Sequence, residues 1–159
     1  MKKLNSVLMA AILLLAISQT LPAQEIFDAV RQNDLAKVKE LIEKDTLQIQ
    51  AKDQQGDSLL NRACNLGHIE IINLLINKGA DINLLAGRLD LTPLMECART
   101  GNLEVAKLLV ERGADVQIIN KMGITAMHWA LGNGQNQAEE IALLLIEKKL
   151  KGRDKSNQR

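Results

Sequence analysis

Between Leu91 and Val116 the apolar residues fall into two short runs with three- and four-residue spacing. Leu94, Cys97 and Ala98 share one helical face, and Leu103, Val105, Leu108 and Leu109 share the face of a second helix. The polar positions between them punctuate the pattern. Thr92 offers a hydroxyl to cap the first helix, and Pro93 stands where its missing N–H costs nothing. Gly101 ends that helix, because a left-handed backbone is easiest for glycine. Asn102 caps the next helix, Glu104 sits in its positive first turn, and Gly113 closes it. Two helices this short cannot bury both stripes against each other, so the unit requires neighbours.

The neighbours are copies of the unit. Ser58–Gly67 followed by His68–Asn83 repeats the pattern before it, and Thr125–Ala130 with Ile141–Ile146 repeats it after. Ser58 to Thr92 is 34 residues, and Thr92 to Thr125 is 33. A degenerate first copy runs from Ile26, Ala29 and Val30 through Asn33, in the glycine position, to a helix over Leu35–Lys44 capped by Asp34. Its outer side carries Arg31, Gln32, Lys37, Lys39, Glu40 and Glu43, as a solvent-facing terminal repeat requires.

The period and the residues Thr92-Pro93-Leu94, Thr125 with His128 and Ala130, and Gly-Ala-Asp at Gly79 and Gly113 resemble the ankyrin repeat family. The resemblance implies an all-α ankyrin repeat solenoid of about four helix–turn–helix repeats with short β-hairpin fingers. The repeats are placed at about 24–51, 52–85, 86–118 and 119–150. It implies fingers over Lys52–Asp57, Leu84–Leu91 and Asn120–Thr125. The chain departs from the signature at Leu59 for proline, Asn61 for histidine and Met95 for histidine. Asn61 can still donate to backbone oxygens. The third finger is a residue longer than the family spacing and carries four leucines where turns are normally polar. The fourth repeat inserts about three residues between its helices, after Gly134.

Residues 1–23 read differently. Met1-Lys-Lys precedes an apolar run from Val7 to Ile17, then small and polar residues ending at Ala23, the order of a secretory signal peptide. A span needs roughly 20 apolar residues, so a membrane anchor is disfavoured, and no membrane insertion is expected after cleavage. The mature protein is expected in the periplasm or secreted. The domain is then 24–150, with 151–159 a basic flexible tail.

Charge adds little. The chain has 20 basic and 19 acidic residues; removing Lys2 and Lys3 leaves 18 against 19. That balance is no footprint for nucleic acid. Two cysteines in an exported chain raise the question of a disulfide. Cys97 aligns with Ala63 and Cys64 with Ala98, both small inward positions on first helices, so both read as buried, unpaired thiols.

No catalytic constellation emerges, and the chain is read as non-enzymatic with no cofactor. A zinc site from Cys64, Cys97, His68 and His128 lacks ligand spacing and would need inward cysteines to turn out. His128, in the signature position, is expected to bond neighbouring hairpin backbone, and Trp129 to be partly buried.

The resemblance implies recognition of another protein through the groove of finger tips and first helices. Carried onto this sequence, the partner-binding set is Gln54, Gln55, Asp57, Asn65 and Leu66, then Arg88, Leu89, Leu91, Arg99 and Thr100, then Lys121, Met122, Ile124 and Asn133. Strand alternation turns Leu84 and Leu91 inward and leaves Leu85, Leu89, Ile119 and Met122 as an apolar edge for a partner, or for weak self-association. The alternative reading, by family analogy, is an accessory or protective factor for an exported enzyme such as a catalase in oxidative-stress defence.

Overall fold

A computed structural model describes residues 23–132, 134 and 137–156. The segment expected to be a signal lies outside them except for Ala23, where helix α1 (residues 23–31) begins. Asn133, expected in the groove, also lies outside.

The remaining helices follow in pairs: α2 (Leu35–Lys44), α3 (Leu59–Leu66), α4 (Ile69–Asn77), α5 (Pro93–Thr100), α6 (Leu103–Glu111), α7 (Ala126–Gly132) and α8 (Ala138–Ser156). The predicted caps operate as written. Asp34, Ser58, Thr92 and Asn102 each accept the backbone N–H three residues on. Gly67 and Gly101 close α3 and α5 in the left-handed region, and Asn33 takes the same conformation in the first repeat at φ 55°.

First helices α3, α5 and α7 stack in chain order, and each of α3, α5 and α7 packs on its own second helix. One continuous core runs through the stack, from Ile26 and Phe27 through Leu60, Ile72, Leu94 and Leu109 to Ile141 and Leu145. The first helices meet through small residues: Ala63, Cys64, Cys97, Ala98 and Ala130 are all wholly buried. Both thiols are free and buried, as the alignment requires. Burial, reinforced by a hydrogen bond with the Cys97 thiol, pushes the Cys64 thiol well above the usual range.

Several details depart from the sequence reading. In α6 the fully inward residues are Val105, Ala106, Leu109 and Val110, whereas Leu103 and Leu108 are only partly buried. The inward face is thus set one residue on from the one read from spacing, and it includes Val110. A 3-10 turn at Thr46–Gln50 follows α2, where no element was expected. Helix α8 continues through Ser156 and so occupies most of the stretch assigned to a tail; residues 157–159 lie outside the described part.

Candidate functional site: the fingers and the groove beneath them

The fingers are made by isolated antiparallel bridges, Lys52 with Ser58 and Ala86 with Leu91, and no strand is present among the described residues. Two of the three turns close around one polar side chain. Asp53 accepts the N–H of Gln55 at 2.9 Å and of Asp57 at 3.0 Å. Asn120 does the same for Met122 and Ile124, both at 3.0 Å. In each finger the hub also exchanges backbone bonds across the turn, Asp53 N–H to Asp57 O and Asn120 N–H to Ile124 O. The third finger has Ala86 at this register, which offers no side-chain oxygen. Its turn is instead closed by backbone alone, with Ala86 and Leu91 exchanging both bonds at 3.0 and 2.9 Å around four residues. That explains the extra residue noted in the sequence.

The fingers are tied to one another. Gly87 N–H donates to Gly56 O at 2.9 Å. Asn120 Nδ2 donates to Leu89 O at 3.1 Å, and Lys121 Nζ to Arg88 O at 2.9 Å. Asn61 Nδ2 reaches Leu91 O at 2.7 Å, fixing the third finger to α3. The signature histidine is therefore replaced at Asn61 by another donor. Met95 fills the same register as buried apolar bulk. His128 does not meet its expectation. It is exposed, and its Nδ1 accepts from Thr125 N–H at 3.1 Å rather than engaging a neighbouring hairpin. Trp129 is partly buried, with its indole N–H enclosed and lacking a partner among the described residues.

Beneath fingers two and three, against α3 and α5, lies an open depression of about 270 Å³. Seven of the expected residues line it: Gln55, Asp57, Asn65, Arg88, Leu89, Leu91 and Arg99. Sequence reasoning missed Arg62 and Glu96, the two charges that organise it. Arg62 bonds Asp53 and also Asp57, the latter at 2.9 Å, while Glu96 pairs with Arg99 and accepts from Asn65 Nδ2. Their signal was local: Glu96 stands three residues before Arg99 on one helix face, and Arg62 follows Asp57 by five residues and Asp53 by nine. Burial pushes the Asp57 carboxyl up; Arg62 opposes this, while Asp53 and Glu96 add to it. Burial also opposes ionisation of Asp53, but Arg62 and the N–H groups of Asp57 and Gln55 outweigh it and hold that carboxyl below the usual range. Glu96 raises the Arg99 guanidinium.

The other expected residues lie apart from this depression. Gln54 faces a second hollow, of about 300 Å³, beside Phe27 and Arg31 of α1. Leu66 is exposed at the end of α3. Lys121 and Met122 stand exposed on the fourth tip, next to Leu89 and Arg88 on the third, and Ile124 is half-buried at the base of the fourth finger. The expected apolar edge is only partly realised. Leu89, Ile119 and Met122 are exposed, but Leu85 is half-buried against the core and does not belong to it. The reason is the bridge at Ala86, which fixes the finger so that its tip begins one residue later. Leu91 is buried, and Leu84 is half-buried. Ile119 opens toward a different hollow, with Met127 and Leu145, near the end of the stack.

A family model described as Ankyrin repeats (3 copies) matches residues 26–86 and 84–158. Among similar curated proteins, the E3 ubiquitin-protein ligase hecd-1 of Caenorhabditis elegans is 37% identical over 60 residues, 38% of this chain and 2% of that protein. Ankyrin repeat domain-containing protein 29 of Homo sapiens is 37% identical over 62 residues, 39% of this chain and 21% of that protein. The NF-kappa-B inhibitor cactus of Drosophila yakuba is 31% identical over 84 residues, 50% of this chain and 17% of that protein. The chain thus matches only a small part of each of these relatives.

Proposed function

Since this chain belongs to the ankyrin repeat family, whose repeats serve as protein–protein interaction modules, we propose that it binds its partner through the tips of fingers two to four and the groove below them. The observation that carries this reading is the convergence of Gln55, Arg88 and Leu89 around an open hollow whose floor charges already pair with each other. A floor neutralised from within stays rigid, and the outward residues at the rim are left to meet a partner. Tips three and four, joined through Arg88 O and Leu89 O, add Met122 and Lys121 to the same rim.

We further propose that the protein acts outside the cytoplasm. The order of residues in 1–23, a basic start, an apolar run and a small residue at the break, supports this.

Both parts are open to direct test. A photo-crosslinking residue at Arg88 or Leu89, introduced in cells, should give one discrete crosslinked product. The same probe at Glu104 or Lys107, exposed on α6, should give none. Crosslinks from α6 alone would move the site to the opposite side. For export, N-terminal sequencing of protein from the extracytoplasmic fraction should begin at or near Gln24. Cytoplasmic protein that retains Met1 would refute export.

A further inference from the structure

Cys64 and Cys97 lie 33 residues apart in the sequence and meet in the stack. Each is wholly buried, Cys64 on α3 and Cys97 on α5, and the two thiols hydrogen-bond to each other. Their chain neighbours span the same two helices: Nδ2 of Asn65, one residue after Cys64, donates to Glu96, one residue before Cys97. The next interface shows what packing alone asks of this register. There the same two positions are Ala98 on α5 and Ala130 on α7, both wholly buried. Alanine therefore fills the contact, and neither sulfur is required as bulk. Small residues also bring the helices close enough for a bond. Packed helices lie about 8–10 Å apart with Cα atoms about 2.3 Å from each axis, so facing Cα atoms at such a contact come within roughly 5 Å. A disulfide spans Cα atoms roughly 4–7 Å apart.

We propose that Cys64 and Cys97 are a disulfide site, oxidised when the chain reaches an oxidising compartment and clamping the second repeat to the third beneath the depression. The compartment is taken from the export proposed above, whereas the pairing rests on the stack itself. The oxidant is a disulfide, carried by a protein or a small molecule. One cysteine thiolate attacks it and releases the first of its sulfurs; the other attacks the mixed disulfide and releases the second. One sulfur–sulfur bond forms between the cysteines, and their two protons and two electrons pass to the oxidant, which leaves as two thiols. Timing follows from burial. Inside the stack the Cys64 thiol is held well above its usual range and both thiols are closed to reagents, so exchange belongs to the chain before the repeats close. Folding then shields the bond from reductants.

The test uses purified protein unfolded in urea and refolded either in a glutathione redox buffer or in dithiothreitol. The glutathione sample should show no free thiol after denaturation, and its digest should hold one linked peptide pair carrying Cys64 and Cys97. It should melt roughly 10 °C above the dithiothreitol sample, the shift expected from cross-linking one repeat to the next. Cys64→Ala with Cys97→Ala should fold and melt alike in both buffers. Two free thiols, glutathione adducts or linked dimers in the refolded wild type overturn the proposal, as does an oxidised form that melts no higher than the reduced one. Protein taken from cells under acid, which traps the thiols as they stand, separates this inference from export. Oxidised cysteines in chains that begin near Gln24 support it, and free thiols in those same chains overturn it. Free thiols in chains that retain Met1 overturn export and with it the oxidation in cells, while the refolded protein reports the pairing by itself.

Discussion

Asp53, Ala86 and Asn120 stand at one register of three successive fingers, and the side chain there decides how each turn closes. Asn120 shows that an amide oxygen serves the turn as well as a carboxylate. Asp53→Asn should therefore keep the second finger and lose only its ion pair with Arg62. Asp53→Ala loses both and should destabilise by about 2 kcal/mol, since hydrogen bonds to a charged group are removed. Because Asp53 has its carboxyl held below the usual range, its contribution is present above the unfolded value, about 3.9, and fades as pH falls through the lower folded value. Urea denaturation at pH 7 and below pH 4 should show the gap between wild type and Asp53→Asn closing in acid. Gly87 is a second single-residue constraint. Its φ is +74°, and an added Cβ would meet Asp57 Oδ1 while its N–H holds the second finger. Gly87→Ala should cost about 1–3 kcal/mol, read from the same denaturation curves; a neutral result would mean that the third finger is free to move. The fingers that carry residues 53 and 120 were legible in the sequence through the repeat register. The ties between fingers were not, because Gly56 O, Leu89 O and Arg88 O act as backbone and leave no mark on side-chain pattern.

At the scale of the element, helix existence and caps followed from spacing and punctuation, because each helix carries its own start and stop. Phase was harder. Leu108 and Leu109 are both apolar, so periodicity alone could not say which points straight into the stack; in the packed array Leu109 is wholly buried and Leu108 only partly. Leu109→Ala should cost about 2–5 kcal/mol through the cavity it leaves. Leu108→Ala, from a half-buried position, should cost about 1 kcal/mol. Equal losses in urea denaturation would show that the helix phase is wrong. The length of α8 was also missed. Its turns past Leu150 read as a tail because their basic and polar residues carry no apolar spacing, whereas the Lys and Arg among them are good helix formers that continue a helix already begun.

At the scale of the whole molecule, stability and recognition occupy separate parts of the repeat. The core runs through the stacked helices and carries even the two thiols, while the tips and groove rim face outward. Thiol reagents should accordingly react with Cys64 and Cys97 only as fast as the stack opens, and early reaction of either would contradict their burial. The fold was legible because one unit is written several times, so each copy corroborates the next. The groove was legible in outline, since a repeat fixes which residues reach its rim; Leu85 escaped because one inserted residue shifted where the third tip begins. Separation of the two roles is most directly tested by Leu89→Asp with Met122→Asp, comparing the thermal transition with capture of the crosslinked partner. The double variant should lose that partner and melt with wild type. Retained capture, or a melting transition that collapses with it, would contradict a recognition surface held on an independent core.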